Sequence, residues 1–169
     1  SANAGAALGA HAKAWAKDTT AVGTRAIAGA ENGLEGIAAT AVGRNATASG
    51  NNATALGFEA IATDVGASAL GTSANARGLR STALGSYASA IGCISTAIGT
   101  NTAATGRASS ALGWCANAVG NFATAVGSCA RSPGDFATSL GSAANASGHY
   151  SIAIGDDANA SGTFSYAIG

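Results

Sequence analysis

Few side chains in this chain of 169 residues could do chemistry, and their spacing argues against a reaction centre. Cys93, Cys115 and Cys129 are an odd number, so they cannot all pair within one chain, and no metal-ligand spacing links them to His11 or His149. His149 beside Tyr150, and Asp156 beside Asp157, have the residue types for metal binding or acid-base work. Both fall at predicted turns, where polar residues are the default. No Ser-His-Asp set, phosphate-cradling glycine loop or Cys-His cluster accompanies them, and the Asp-containing nonapeptide of calcium-binding β-rolls is absent. The residues therefore predict a protein that is not an enzyme and uses no cofactor. Arg77, Arg80, Arg107 and Arg131 offer different chemistry, because they lie in a stretch from Val65 to Pro133 without Asp or Glu. Multiplied by self-association, they would form a basic band for sulfated glycans or acidic protein surfaces. A solvated face is the plainer reading of four arginines that form no compact run.

The composition says what kind of scaffold holds these groups. With 25 Gly, 9% charged residues and a great deal of Ala, a single chain buries little apolar area against its ordering entropy, so self-association is expected. A formal net charge of +0 gives no pull toward nucleic acid or an anionic membrane. The chain lacks Met and does not open on a basic segment followed by an apolar run, so a signal peptide is absent or already removed. Its apolar runs fall short of the ~18 residues of a membrane helix, which places any membrane anchor outside this fragment and predicts a soluble piece.

The dominant feature is a repeat. From Gly29, stepping by seven, every position to Gly169 is glycine except Asp64, and strong and weak halves alternate, so the unit is fourteen residues. In the strong half an aliphatic residue precedes glycine at Val42, Leu56, Leu70, Leu84, Ile98, Leu112, Val126, Leu140, Ile154 and Ile168. Leu8-Gly9 and Val22-Gly23 keep the same spacing, but Val22 to Val42 is twenty residues. Six extra residues within Ala30 to Ile37 are therefore predicted to form an inserted loop. The chain reads as one domain, 1–169, irregular over 1–41 and regular over 42–169. A glycine in every heptad, at ~1 kcal/mol each against Ala, excludes a coiled coil. Read instead as a turn residue supplying positive φ at each half-repeat boundary, it makes each unit strand, turn, strand, turn.

Alternation of period two sorts each strand into faces. One set is small throughout: Ala46 and Ala48, Ala74 and Ala76, Ala144 and Ala146 on the first strand, and Ala53 and Ala55, Ser81 and Ala83, Ser151 and Ala153 on the second. These predict a thin interior with no room for larger side chains. The outward set of the first strand is mostly polar, as at Thr47 and Ser49, Asn145 and Ser147, or Asn159 and Ser161. The second strand turns Thr or Ser outward, followed by the aliphatic column. Such a column is not expected to face water along its whole length, and it is the predicted subunit interface. Phe122, Phe136, Tyr150 and Phe164 recur once per coil, so their rings are expected to stack roughly 4.8 Å apart, as an adhesive ladder or as a seam sealing the corner between subunits. Cys115 and Cys129 share a column on adjacent coils and Cys93 belongs to the opposite turn, which favours free thiols.

The segments "SIAIG" and "SYAIG", with "ANASG" half-repeats between them, closely resemble the head repeats of YadA-like trimeric autotransporter adhesins. The resemblance implies an all-β fold: a left-handed parallel β-roll, or solenoid, of fourteen-residue coils, three chains packing in parallel as a homotrimer. Left-handedness comes from the resemblance alone. The resemblance also implies a head projecting extracellularly from a bacterial outer membrane and attaching to a host matrix protein, cell-surface receptor or glycan. The neck, stalk and membrane barrel of that family are not found here. An ice-binding β-solenoid is the rival from another class, since Thr54, Ser68, Thr82, Thr96, Ser110, Thr124 and Thr138 form a hydroxyl column. It is a single column sharing a strand face with the aliphatic stripe. A purely structural spacer is the remaining alternative.

Overall fold

The computed structural model describes residues 5–30 and 36–169, and within these the secondary structure is β-strand and turn without helix. Strands of three residues, such as Thr54–Leu56 and Thr96–Ile98, alternate along the chain with strands of two, such as Asn75–Ala76 and Ser89–Ala90. The longer ones form a 12-stranded sheet and the shorter ones an 11-stranded sheet, each strand lying beside the next of its kind, so the described chain winds through about eleven turns. All pairings are parallel. Register advances by one repeat per coil, as in Leu84↔Ile98 and Ile98↔Leu112. The chain is thus a parallel β-solenoid, and the period read from the glycines is the length of one coil.

Between the sheets lies an interior built of alanine. Ala46, Ala48, Ala53, Ala55, Ala144 and Ala146 are fully buried, and so are Ser81 and Ser151 where serine takes the column. Serine fits by its small volume, and at some coils its side chain also bonds the turn beside it: Ser109 donates to the Gly106 carbonyl at 2.8 Å and Ser151 to that of Gly148 at 2.6 Å. Ser132 and Ser139, on facing strands, lie 2.7 Å apart across the interior, and Ser132 also donates to the Thr124 carbonyl. A buried hydroxyl left without a partner costs ~1–3 kcal/mol; local bonds avoid that cost at Ser109, Ser132 and Ser151, whereas the equally buried Ser81 and Ser95 hydroxyls have no protein partner.

The two glycines of each coil do different work, which corrects the expectation that both supply positive φ. Strong-half glycines do so, with φ 133 at Gly43 and 140 at Gly57. Gly92 and Gly106, in the weak half, do not. There a Cβ on Gly92 would overlap the carbonyl oxygen of Gly106 on the next coil, and one on Gly106 that of Gly120. At these two positions glycine is required because the backbone of the next coil lies too close for a side chain. Positive φ falls instead two residues later, on Arg80 (φ 53), Ile94 (φ 59) and Phe122 (φ 57), and the turn is closed by a bond such as Ser95 N–H to Gly92 carbonyl at 3.1 Å.

Asp64 stands where the weak-half glycine is otherwise found. Its carboxylate accepts the Val65 N–H at 2.7 Å.

At the irregular end, Thr20↔Thr40 and Ile27↔Thr47 step by twenty residues rather than fourteen. The Ala38 N–H still reaches the Lys17 carbonyl at 2.9 Å, and that of Gly29 the Ala48 carbonyl at 2.8 Å, so the coils on both sides remain bonded. A Cβ on Gly36 would collide with Gly29, which places the two ends of the extra segment side by side. Of the segment predicted as a loop, residues 31–35 lie outside the described residues.

Candidate functional site

The outward side of the longer strands is set by the alternation that buries alanine. In Thr96–Ile98 the middle residue faces the interior, so Thr96 and Ile98 must face out. Parallel in-register pairing then forces like onto like. Val42, Leu56, Leu70, Leu84, Ile98, Leu112, Val126, Leu140, Ile154 and Ile168 come together as one uninterrupted column. The column also begins earlier than the regular repeats, because Leu8 pairs with Val22 and Val22 with Val42. Those two residues were missed as members of the stripe. Their spacing before glycine was the signal, masked by the twenty-residue gap.

In the isolated chain this stripe is open to water: Leu56 is 44% exposed, Leu84 42% and Leu140 46%. The hydroxyl column beside it, including Thr54, Thr82, Thr96 and Thr124, is half-buried and flanked along its length by aliphatic side chains.

The aromatic column behaves as its period requires. Phe122, Phe136, Tyr150 and Phe164 stack with ring centroids 5.0, 4.7 and 5.1 Å apart and interplanar angles of 6°, 9° and 4°. These rings occupy the positive-φ turn position, so each side chain leaves its turn in the same direction as the one before. His149 abuts the ladder edge-on, 4.4 Å from the Tyr150 ring. Face-to-face stacking leaves ring edges for contact, the faces within the ladder being covered by each other.

The arginines are brought to one side of the roll. Arg131 lies on the outward face of the second sheet, Arg77 directly after the strand Asn75–Ala76, and Arg80 and Arg107 in the turn that follows that sheet. All four are exposed. Arg77 Nε donates to Asn75 Oδ1 at 2.9 Å, and the Arg107 guanidinium sits 5.6 Å from the centre of the Phe122 ring. The arginines do not join the aliphatic stripe, which belongs to the other sheet.

The remaining reactive groups are scattered. Cys93, Cys115 and Cys129 are free and half-buried, Cys93 in the turn after the second sheet and the other two in the opposite turn. Asp156 and Asp157 are exposed turn residues. Among the described residues no group of three or more His, Cys, Asp or Glu is placed to hold a metal ion.

A parallel solenoid with an alanine interior, glycine-stacked turns and one exposed aliphatic stripe defines a repeat scaffold whose surfaces, not its interior, carry its function. The YadA head domain repeat (2 copies) matches residues 1–26, 35–60, 62–88, 95–114, 104–130, 132–158 and 146–169, and the chain belongs to this family, which is one of structural adhesins and not of enzymes. No curated protein matches the chain.

Proposed function

We propose that this chain is the displayed head of a bacterial trimeric adhesin, three copies packing in parallel through the aliphatic stripe of the first sheet, and that the assembly attaches the cell to a host matrix protein, surface receptor or glycan. The observation that carries the reading is the stripe. An uninterrupted aliphatic column running the length of a soluble rod is an exposed patch well beyond the few hundred Å² usually tolerated, and a threefold axis would cover all of it. The side chains of the interior are too small to supply the missing burial, so folding and assembly are coupled. In this reading the coils are left-handed, and the outer-membrane anchor belongs to another part of the protein. The half-buried state of the Thr column, with Leu and Ile alongside, disfavours contact with ice.

Solid-phase binding of the assembled protein to matrix proteins, beside a glycan array, tests the reading. Saturable binding to a matrix component or glycan, lost when the assembly is dissociated, is the expected result. Assembled protein that binds neither would leave the chain as a spacer. Thermal hysteresis in its solution would place it instead among ice-binding solenoids.

A further inference from the structure

The second sheet is not uniformly polar on its outward side. At Thr47 and Ser49, and again at Asn145, Ser147, Asn159 and Ser161, the columns carry small polar residues. Between them the character changes. Arg77 and Arg80 lie on one coil, Arg107 two coils on and Arg131 two further, while the intervening coils carry Ile91 with Ile94 and Val119 with Phe122. Ile91 is 48% exposed, Ile94 52% and Val119 46%, so these side chains stand in water on coils between those that carry the arginines. The one ion pair among the described residues joins Lys17 to Asp18, and the arginines of this surface have no carboxylate partner.

We infer that this surface is a docking site for an acidic protein segment carrying apolar side chains. The inference rests on reading the chain as a displayed head whose aliphatic stripe faces inward, which leaves the second sheet outermost. Charge complementarity commits the partner to acidic groups, since four arginines stand against a single carboxylate, Asp135 in the turn of the Arg131 coil, and a surface of that balance attracts carboxylates and disfavours basic partners. The apolar side chains then favour protein over sulfated glycan. A polyanionic glycan would satisfy the guanidiniums but leave Ile91, Ile94 and Val119 against water, whereas an acidic segment with Val, Leu or Phe covers both. Arginine and aromatic residues around an apolar centre are the composition of protein interfaces. From Arg77 to Arg131 the surface extends over four coils, roughly 19 Å at the spacing of parallel strands, long enough for an extended segment.

The test uses the assembled protein and, as probe, a fluorescein-labelled peptide of alternating Glu and Val, read by fluorescence anisotropy beside polyglutamate and heparin. One variant combines Ile91→Ser with Val119→Ser, and another combines Arg77→Ser, Arg107→Ser and Arg131→Ser. Sedimentation of each variant reports its assembly. The Glu-Val peptide is expected to bind, and to lose about tenfold or more in affinity with either variant while assembly is unchanged, as loss of interface anchors does. Polyglutamate should respond to the arginine substitutions alone. Absence of peptide binding, or binding indifferent to both variants, overturns the inference. Heparin binding that needs the arginines, in the absence of peptide binding, would make this a sulfated-glycan site, and dissociation of the assembly by Ile91→Ser with Val119→Ser would make it a subunit contact. A wild-type chain that sediments as a monomer yet binds the peptide would count against the trimer and in favour of this surface.

Discussion

The strand Thr96–Ile98 of the first sheet and the strand Asn117–Ala118 of the second begin from the same physical constraint and end with different surfaces. Ala97 and Ala118 are equally buried, facing each other's sheets across an interior one small side chain deep. Outward, Ile98 joins a continuous aliphatic column, whereas Asn117 stands in a column that reads Asn75, Ser89, Ala103, Asn117, Arg131 and Asn145. The interior therefore specifies the roll and leaves the outer surfaces open. Since both sheets solve the packing problem with alanine, their outer residues are free to differ, and in the proposed reading those of the first sheet serve assembly while those of the second meet solvent and partners.

The largest expected effect would erase the comparison altogether. Ala97→Leu on the first sheet and Ala118→Leu on the second should both prevent cooperative folding, because an interior of this depth has no space for three extra carbons; overpacking costs of about 3 kcal/mol or more are expected at each. Circular dichroism melts of the two variants decide it, and a tolerant second sheet would show that the sheets do not share one interior. A step down, Gly92→Ala and Gly99→Ala compare the turns that join the sheets. Gly99 has φ 128 and also lies against Gly113, so alanine there meets both a conformational and a steric penalty, while at Gly92 the clash with Gly106 stands alone. Both should destabilise by about 1–3 kcal/mol, with Gly99→Ala the worse in chemical denaturation. The smallest effect has the opposite sign. Ile94 is a β-branched residue at φ 59, a conformation that asparagine visits more readily. Ile94→Asn should raise Tm by about 1–3 °C, and an unchanged or lowered Tm would mean that the exposed Ile94 side chain is packed in the assembly.

Much of this architecture was legible in the sequence because a solenoid repeats its physics. Period two separates Ala53 and Ala55 from Thr54 and Leu56, and period fourteen alone stacks Phe122 on Phe136. What stayed hidden had specific causes. Gly92 and Gly99 are the same residue in a string, yet one is glycine for closeness and the other for φ as well, and only the backbone separates the two reasons. The left-handed turn position at Ile94 runs against the preference of its own residue type, since the stacked turns on either side override it. Leu8 and Val22 belong to the stripe, but the twenty-residue step concealed their register. Ile91 and Val119 carry no signal in the string because single exposed apolar residues are common, and only the fold places them on coils between those of the arginines.

In the proposed assembly the first sheet's aliphatic column lies on a threefold axis while the second sheet's polar face does not. Analytical ultracentrifugation of Ile98→Asp beside Asn145→Asp tests it most directly. Three Ile98→Asp carboxylates brought together in an apolar seam cannot all remain ionised at close range, so that variant should sediment mainly as dissociated chains. Asn145→Asp places its charge on the outward face, where Asn145 Nδ2 reaches Asn159 Oδ1 at 3.3 Å, and should remain a trimer. An Ile98→Asp protein that stays trimeric with unchanged thermal stability would contradict the account.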